Sequence, residues 1–155
     1  MGNPELRNEV LDYLGAHQVM TLATNGRFGL WAAAVFYVNI QFHFYFLSAG
    51  HTRHAQNMAE HPQVAGTIQA DQQQWQTIQG VQLAGEVFLL QGEERTAAIR
   101  YYSEKYPFMK TAVPAIRDAL AKVNFYKLIP SRFYFIDNQK GFGHRDEIRF
   151  DWDNG

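Results

Sequence analysis

The chain is predicted to fold as a mainly β domain with short helices, arranged as a six-stranded antiparallel barrel, closed or half-closed. Three observations predict it. Apolar and aromatic runs of strand length recur at about six places between residues 19 and 136. The helical segments between them are too few and too short for the crossovers a parallel sheet requires. Phe42, Phe44 and Phe46 share one face of a run whose other face carries His43 and Tyr45, as in a sheet covered on both sides.

Residues 4–14 place Leu6, Val10, Leu11 and Leu14 at helical spacing, with Asn3 as cap, Pro4 in the first turn and Gly15 as a stop. A strand over 19–24 leads to Asn25-Gly26, the strongest hairpin signal in the chain, and to a return strand from about 30 to 37. The aromatic strand covers 40–47. A short helix follows over 52–60 and ends before Pro62. Residues 64–71 read as a strand and 72–74 as a polar turn. Residues 75–90 read as a strand pair or one bent strand, where Gly80 and Gly85 point to bulges or close backbone approach. Ala97, Ala98, Tyr101 and Tyr102 mark a helix over 93–105, stopped by Pro107, and 113–122 form another short helix. In the last strand, 125–136, Pro130 favours a bulge or an edge. The tail from 137 carries a flexible loop, 140–144, with one large ring, Phe142.

With 155 residues the chain is expected to be one domain, 1–155. It has no cysteine, which excludes disulfides, thiol nucleophiles and thiolate metal sites and fits a reducing cytoplasm. The first residues lack the apolar core of a signal peptide, and no apolar run is long enough to span a bilayer. Leu6 stands where myristoylation of Gly2 would need serine or threonine. Net charge is -1 and the basic residues are scattered, so nucleic acid is not the expected partner. No GxGxxG fingerprint, HExxH pair or GxSxG elbow is present, and no carboxylate pair stands out for glycoside chemistry. Metal binding is not expected.

The most informative segment is 47–62. Thr52, Arg53 and His54 fall at a helix start, where free N–H groups and the helix dipole favour an anion. A hydroxyl, a guanidinium and an imidazole added there make a phosphate seat, and with it a phosphorylated cofactor or nucleotide. Two of them have plainer roles: Thr52 as helix cap, Arg53 as a solvated helix residue. The run Trp31-Ala32-Ala33-Ala34-Val35 is the second candidate, because small side chains on a strand let a planar ligand approach the backbone. Close packing of sheet on helix would use the same residues.

The order of these segments, a short helix, then 19–24, 32–37, 44–47, Thr52-Arg53-His54-Ala55-Gln56-Asn57-Met58, His61-Pro62 and 64–67, resembles the pyridoxamine 5'-phosphate oxidase-like, FMN-binding split-barrel superfamily. Within it, Arg53-His54-Ala55-Gln56, Gly80-Val81-Gln82 with Gly85-Glu86, and Gly141-Phe142-Gly143 make the chain most similar to a small uncharacterised bacterial family. The resemblance covers nearly the whole chain and implies a homodimer with FMN in clefts between subunits. It aligns Thr52 and Arg53 with a serine and an arginine that hold the flavin phosphate, and places His54 where lysine is usual. It also implies that Ala32, Ala33, Ala34 and Val35, beside Trp31, run along the flavin. Gln79 and Gln82 would line the ring edge, and the partner's tail would bring Phe142 over the cleft. The basic residues that hold a B6 phosphate have no match late in the chain, so the implied activity is flavin-dependent oxidation or reduction of another small molecule. Relatives that bind haem or a deazaflavin leave two alternatives, with His43, His51 or His144 as an axial nitrogen for haem.

Overall fold

The computed structural model describes residues 3–71, 73–110 and 113–154. Gly2, Gln72 in the expected polar turn and Gly155 in the tail lie outside the described residues. Helix α1 (Pro4–Ala16) starts as expected, with Asn3 accepting from the N–H groups of Glu5 and Leu6. It runs past Gly15 to Ala16 and buries Val10 and Leu14. Its closing carbonyls are satisfied by tertiary donors rather than a glycine turn. The Tyr37 hydroxyl donates to Leu14 O at 2.7 Å, and Lys105 Nζ donates to Leu14 O and His17 O. Burial pushes the Lys105 ammonium down to about 8.

Strands β1 (Val19–Gly26) and β2 (Gly29–Ile40) form the first hairpin. Gly26 pairs with Gly29, so the two-residue loop is Arg27-Phe28 rather than Asn25-Gly26. Gly29 carries the positive φ, +91°. Gly26 answers a tertiary demand, since a Cβ there would lie 2.2 Å from Asn57 Oδ1. Strand β3 (His43–Ser48) and helix α2 (Arg53–Glu60) follow, then β4 (Gln63–Gln69). Residues 75–77 form a 3-10 turn instead of opening the next strand, because Gln73 Oε1 takes the Gln79 N–H and Asn138 Nδ2 holds Trp75 O. Strand β5 (Gln79–Leu89), α3 (Gly92–Lys105), α4 (Pro114–Lys122), β6 (Asn124–Asp137) and β7 (Arg145–Glu147) complete the order.

The strands run β3-β2-β1-β4-β5-β6, all neighbours antiparallel, and β3 pairs with β6 to close a six-stranded barrel. Short β7 adds to the edge of β6. The register shift expected near Gly85 and Pro130 is present: Ala84 faces Arg132 and Gly85 faces Pro130, leaving Ser131 as the extra residue of a bulge. A Cβ at Gly85 would meet Ile129 O at 2.3 Å, so only glycine permits that approach.

Inside the barrel Phe42, Phe44, Phe46, Phe133 and Phe135 pack with Met20, Leu22 and Ile68. Tyr45 points the other way, into a second cluster with Ala98 and Tyr102 of α3 and with Tyr106, which accounts for the two-faced aromatic strand. The tail is more ordered than its glycines suggest. A 3-10 turn (Asn138–Lys140), β7 and the buried side chains of Ile148 and Phe150 seal one side of the barrel. Phe142 remains 87% exposed. Among the described residues no helix is long and apolar enough to cross a membrane.

Candidate functional site

Two segments meet where the β1–β2 hairpin turns: the hairpin tip and the start of α2. Their contact is built from several polar ties. Asn57 Nδ2 donates to Thr24 Oγ1 at 3.1 Å, and the Glu60 carboxylate takes the Arg27 N–H at 3.0 Å and its Nε at 2.9 Å. Arg53 completes the junction from the first turn of α2. One terminal nitrogen donates to Phe28 O at 2.7 Å, and the guanidinium lies 4.3 Å from the centre of the Trp31 ring. Its Nε is buried and has no hydrogen-bond partner among the described residues. Such an orphan donor ordinarily costs about 1–3 kcal/mol.

Thr52 is the N-cap, its hydroxyl accepting from Ala55 N at 3.3 Å and donating to Ala49 O at 2.8 Å. The N–H groups of Arg53 and His54 fall among those a helix start leaves without intrahelical partners. The His54 ring turns toward the chain: Nε2 is hydrogen-bonded to Ser48 Oγ and lies 3.4 Å from Thr52 Oγ1. Burial holds this imidazole below its ordinary 6.5, so it is neutral near pH 7. Of the three residues read as a phosphate seat, only Arg53 therefore brings positive charge at neutral pH. Ser48 escapes sequence reading, because a serine closing a strand is common and its pairing with His54 depends on how the connection folds back.

The alanine run gains its meaning from pairing. Strand β2 meets β1 over residues 29–36 but meets β3 only over 37–40. Over 29–36 its second edge thus has no strand partner among the described residues. Tyr37 N–H donates to Gln18 O, so backbone groups alternate along β2 and those of Leu30, Ala32, Ala34 and Phe36 face the open edge, Phe36 O accepting from Tyr102 Oη at 3.4 Å. Ala32 and Ala34 point outward and are exposed, Ala33 is half-buried and Val35 is in the core.

The other predicted residues are not gathered here within one chain. Gln82 is exposed on the outer face, in one lateral row with Ala34 through Thr21 and Thr67, three strand spacings or roughly 14 Å away. Gln79 sits at the opposite end of the barrel from the hairpin tip, its amide donating to Asp137 Oδ2 at 3.2 Å. It lines a cleft of about 570 Å³ with Tyr13 and His17. Phe142 is at that same end, its ring 6.2 Å from that of Trp75. His51 is exposed beside the start of α2. His43 packs against Trp152 at 5.1 Å, and burial lowers its pKa. His144 pairs with Asp146 at 3.0 Å. Among the described residues no group of His, Asp and Glu side chains is placed to hold a metal ion.

No family model matches the chain. It is 34% identical to a UPF0306 protein of Photorhabdus laumondii over 86% of this chain and 88% of that one. It is 31% identical to a UPF0306 protein of Klebsiella pneumoniae over 90% of each. Among solved structures it is similar to a haem-binding protein from Mycobacterium smegmatis, with a TM-score of 0.75 and 20% identity, over 96% of this chain and 60% of that one. The haem storage protein HutZ from Vibrio cholerae gives 0.65 at 18% identity over 79% and 88%. An inferred pyridoxamine 5'-phosphate oxidase from Listeria innocua gives 0.63 at 18% over 83% and 95%. Likenesses at such low identity establish the fold alone. The sequence relatives go further: the chain belongs to the UPF0306 family, built on the pyridoxamine 5'-phosphate oxidase-like split barrel.

Proposed function

We propose that this protein binds FMN in clefts between two copies of the chain and acts as a flavin-dependent oxidoreductase on a small organic molecule. The observation that carries the reading is Arg53: a guanidinium at a helix start, beside a strand edge that has no strand partner among the described residues, with a buried Nε that has no hydrogen-bond partner among them either. The phosphate would be held by Arg53 and by the first N–H groups of α2, with the Thr52 hydroxyl next to them. The edge of β2 beside Trp31 to Val35 would orient the flat ring through the backbone groups of Ala32 and Ala34. Bound FMN would supply a hydride acceptor or donor at the flavin N5. The chain's part is to bind, orient and exclude water.

A second copy fits the outer face of β2, β1, β4 and β5. Ala32, Ala23, Ala65 and Ala84 make one lateral row there, with no bulky or charged group among them. Leu30 and Phe36 stand beside this face 79% and 52% exposed. An outer row of alanines with Leu30 and Phe36 exposed beside it gives a partner small side chains to pack on and apolar area to cover, with Gln82, Gln63 and Glu86 as its polar rim. In this reading Gln82, Gln79 and Phe142 of one copy are assigned to the cleft that holds Arg53 of the other.

A second reading, a haem carrier without turnover, draws support from the fold likeness to a haem-binding and a haem storage protein. The spectrum of protein purified without added ligand, with mass analysis of what is released, tests both. Flavin bands with the mass of FMN support the proposal. A Soret band supports the haem reading, and the mass of a deazaflavin would replace FMN in the same seat. Failure to take up added FMN would reject it.

A further inference from the structure

We propose that the cavity between α3 and α4 is a binding site for an amphiphilic carboxylate: an unbranched alkyl chain ending in one carboxyl group. The cavity is an open cleft of about 410 Å³ and shares no lining residue with the Arg53 group. That volume lies within the range of small-molecule sites. Its floor is aliphatic, formed by Ile99, Met109 and Leu120, with the ring of Phe125 at the base. Arg95, Lys110 and Arg117 also line it, and among the described residues no carboxylate does.

The three cations differ in employment. Arg95 Nη2 donates to the carbonyls of Leu120, Ala121 and Val123 at 3.5, 3.3 and 3.2 Å, pinning the end of α4 to α3. Its guanidinium covers Phe125, 5.1 Å from the ring centre, which leaves the aliphatic side chains as the open apolar surface. Lys110 and Arg117 have no ion pair or side-chain hydrogen bond among the described residues. Two unengaged cations above an aliphatic floor complement a ligand with an anionic head and a flexible apolar body. A flat aromatic ligand would find its natural partner, Phe125, already covered.

Helix α4 supplies the second observation. None of its side chains is buried, and Ile116 is 46% exposed. Its hold on the domain is mainly the polar tie from Arg95, so it is an element whose apolar packing is incomplete. An alkyl chain lying against Leu120 and Ile99 would complete that packing, while the carboxylate neutralised Arg117 and Lys110.

The test is calorimetric titration of decanoate and of decanol into the wild-type protein and into the Lys110→Gln/Arg117→Gln double variant. Amide NMR shifts report where binding occurs. Both cations are exposed, so the variant should fold normally. Saturable binding of decanoate with shifts in α3 and α4 is expected, weakened in the variant by about tenfold or more. Decanol should bind less tightly and equally to both proteins, and Arg53→Ala should leave decanoate affinity unchanged. The proposal is overturned by equal decanoate affinities in wild type and variant, by absence of saturable binding, or by shifts confined to other elements. Binding seen only with anionic lipid vesicles would overturn it as well.

Discussion

Replacing Arg53 with alanine removes the one cation of the proposed phosphate seat, and its effects on binding and on folding can be separated in advance. A hydrogen bond to a charged group is worth about 1.5–3 kcal/mol net. Each 1.4 kcal/mol is a tenfold change, so the dissociation constant for FMN should rise roughly 10- to 100-fold. The folded state loses the bond to Phe28 O and the contact with Trp31, the latter about 0.5–1 kcal/mol. It also sheds the buried Nε that has no partner, a relief of about 1–3 kcal/mol. These changes oppose one another, so the melting temperature should move little. Arg53→Lys keeps the charge but not the planar fork and should fall between the two. Fluorescence titration of FMN beside thermal melts of the same proteins reads both quantities. Unchanged FMN affinity in Arg53→Ala would refute the assignment of the phosphate to this helix start.

Gly26→Ala would push Asn57 from its bond to Thr24 and loosen α2 from the hairpin. A loss of about 1–3 kcal/mol in urea unfolding is expected, with weaker FMN binding because Arg53 rides on that helix. His54 has a folded pKa depressed by burial. Its contribution is complete above the unfolded value of about 6.5 and is lost as pH falls through the folded pKa. Stability of the wild type should therefore fall on mild acidification, and His54→Gln should flatten part of that slope in melts across the acid range. His43, lowered in the same direction, leaves a remainder in the variant, and identical slopes would show that His54 does not titrate this way. Ala65→Arg puts a long cation into the outer alanine row. Light scattering should then report a monomer that melts close to the wild-type temperature, and a dimer of undiminished affinity would place the interface elsewhere.

Sequence reasoning reached those parts of this protein whose chemistry is local. The N-cap at Asn3, the two-faced aromatic strand, the bulge at Gly85 and Pro130, and the hydroxyl and guanidinium at the start of α2 all follow from neighbours in the chain. Where it missed, a distant segment had altered a local preference. Asn25-Gly26 reads as a turn, yet Gly26 is there to admit Asn57 and the chain turns two residues later. Gly15 reads as a helix stop, yet Tyr37 and Lys105 satisfy the carbonyls that would otherwise need one. Only the closed barrel decided that β2 keeps an open edge over residues 29–36, because that edge exists where β3 turns away to pair with β6. Tertiary packing also leaves Arg53 Nε dry, with no partner among the described residues, sets Ser48 against His54, and by burial keeps that imidazole neutral. Residue type determined which groups are able to meet an anion. Burial and long-range pairing, which no window of sequence contains, determined which of them carry charge and which backbone is left free to bind.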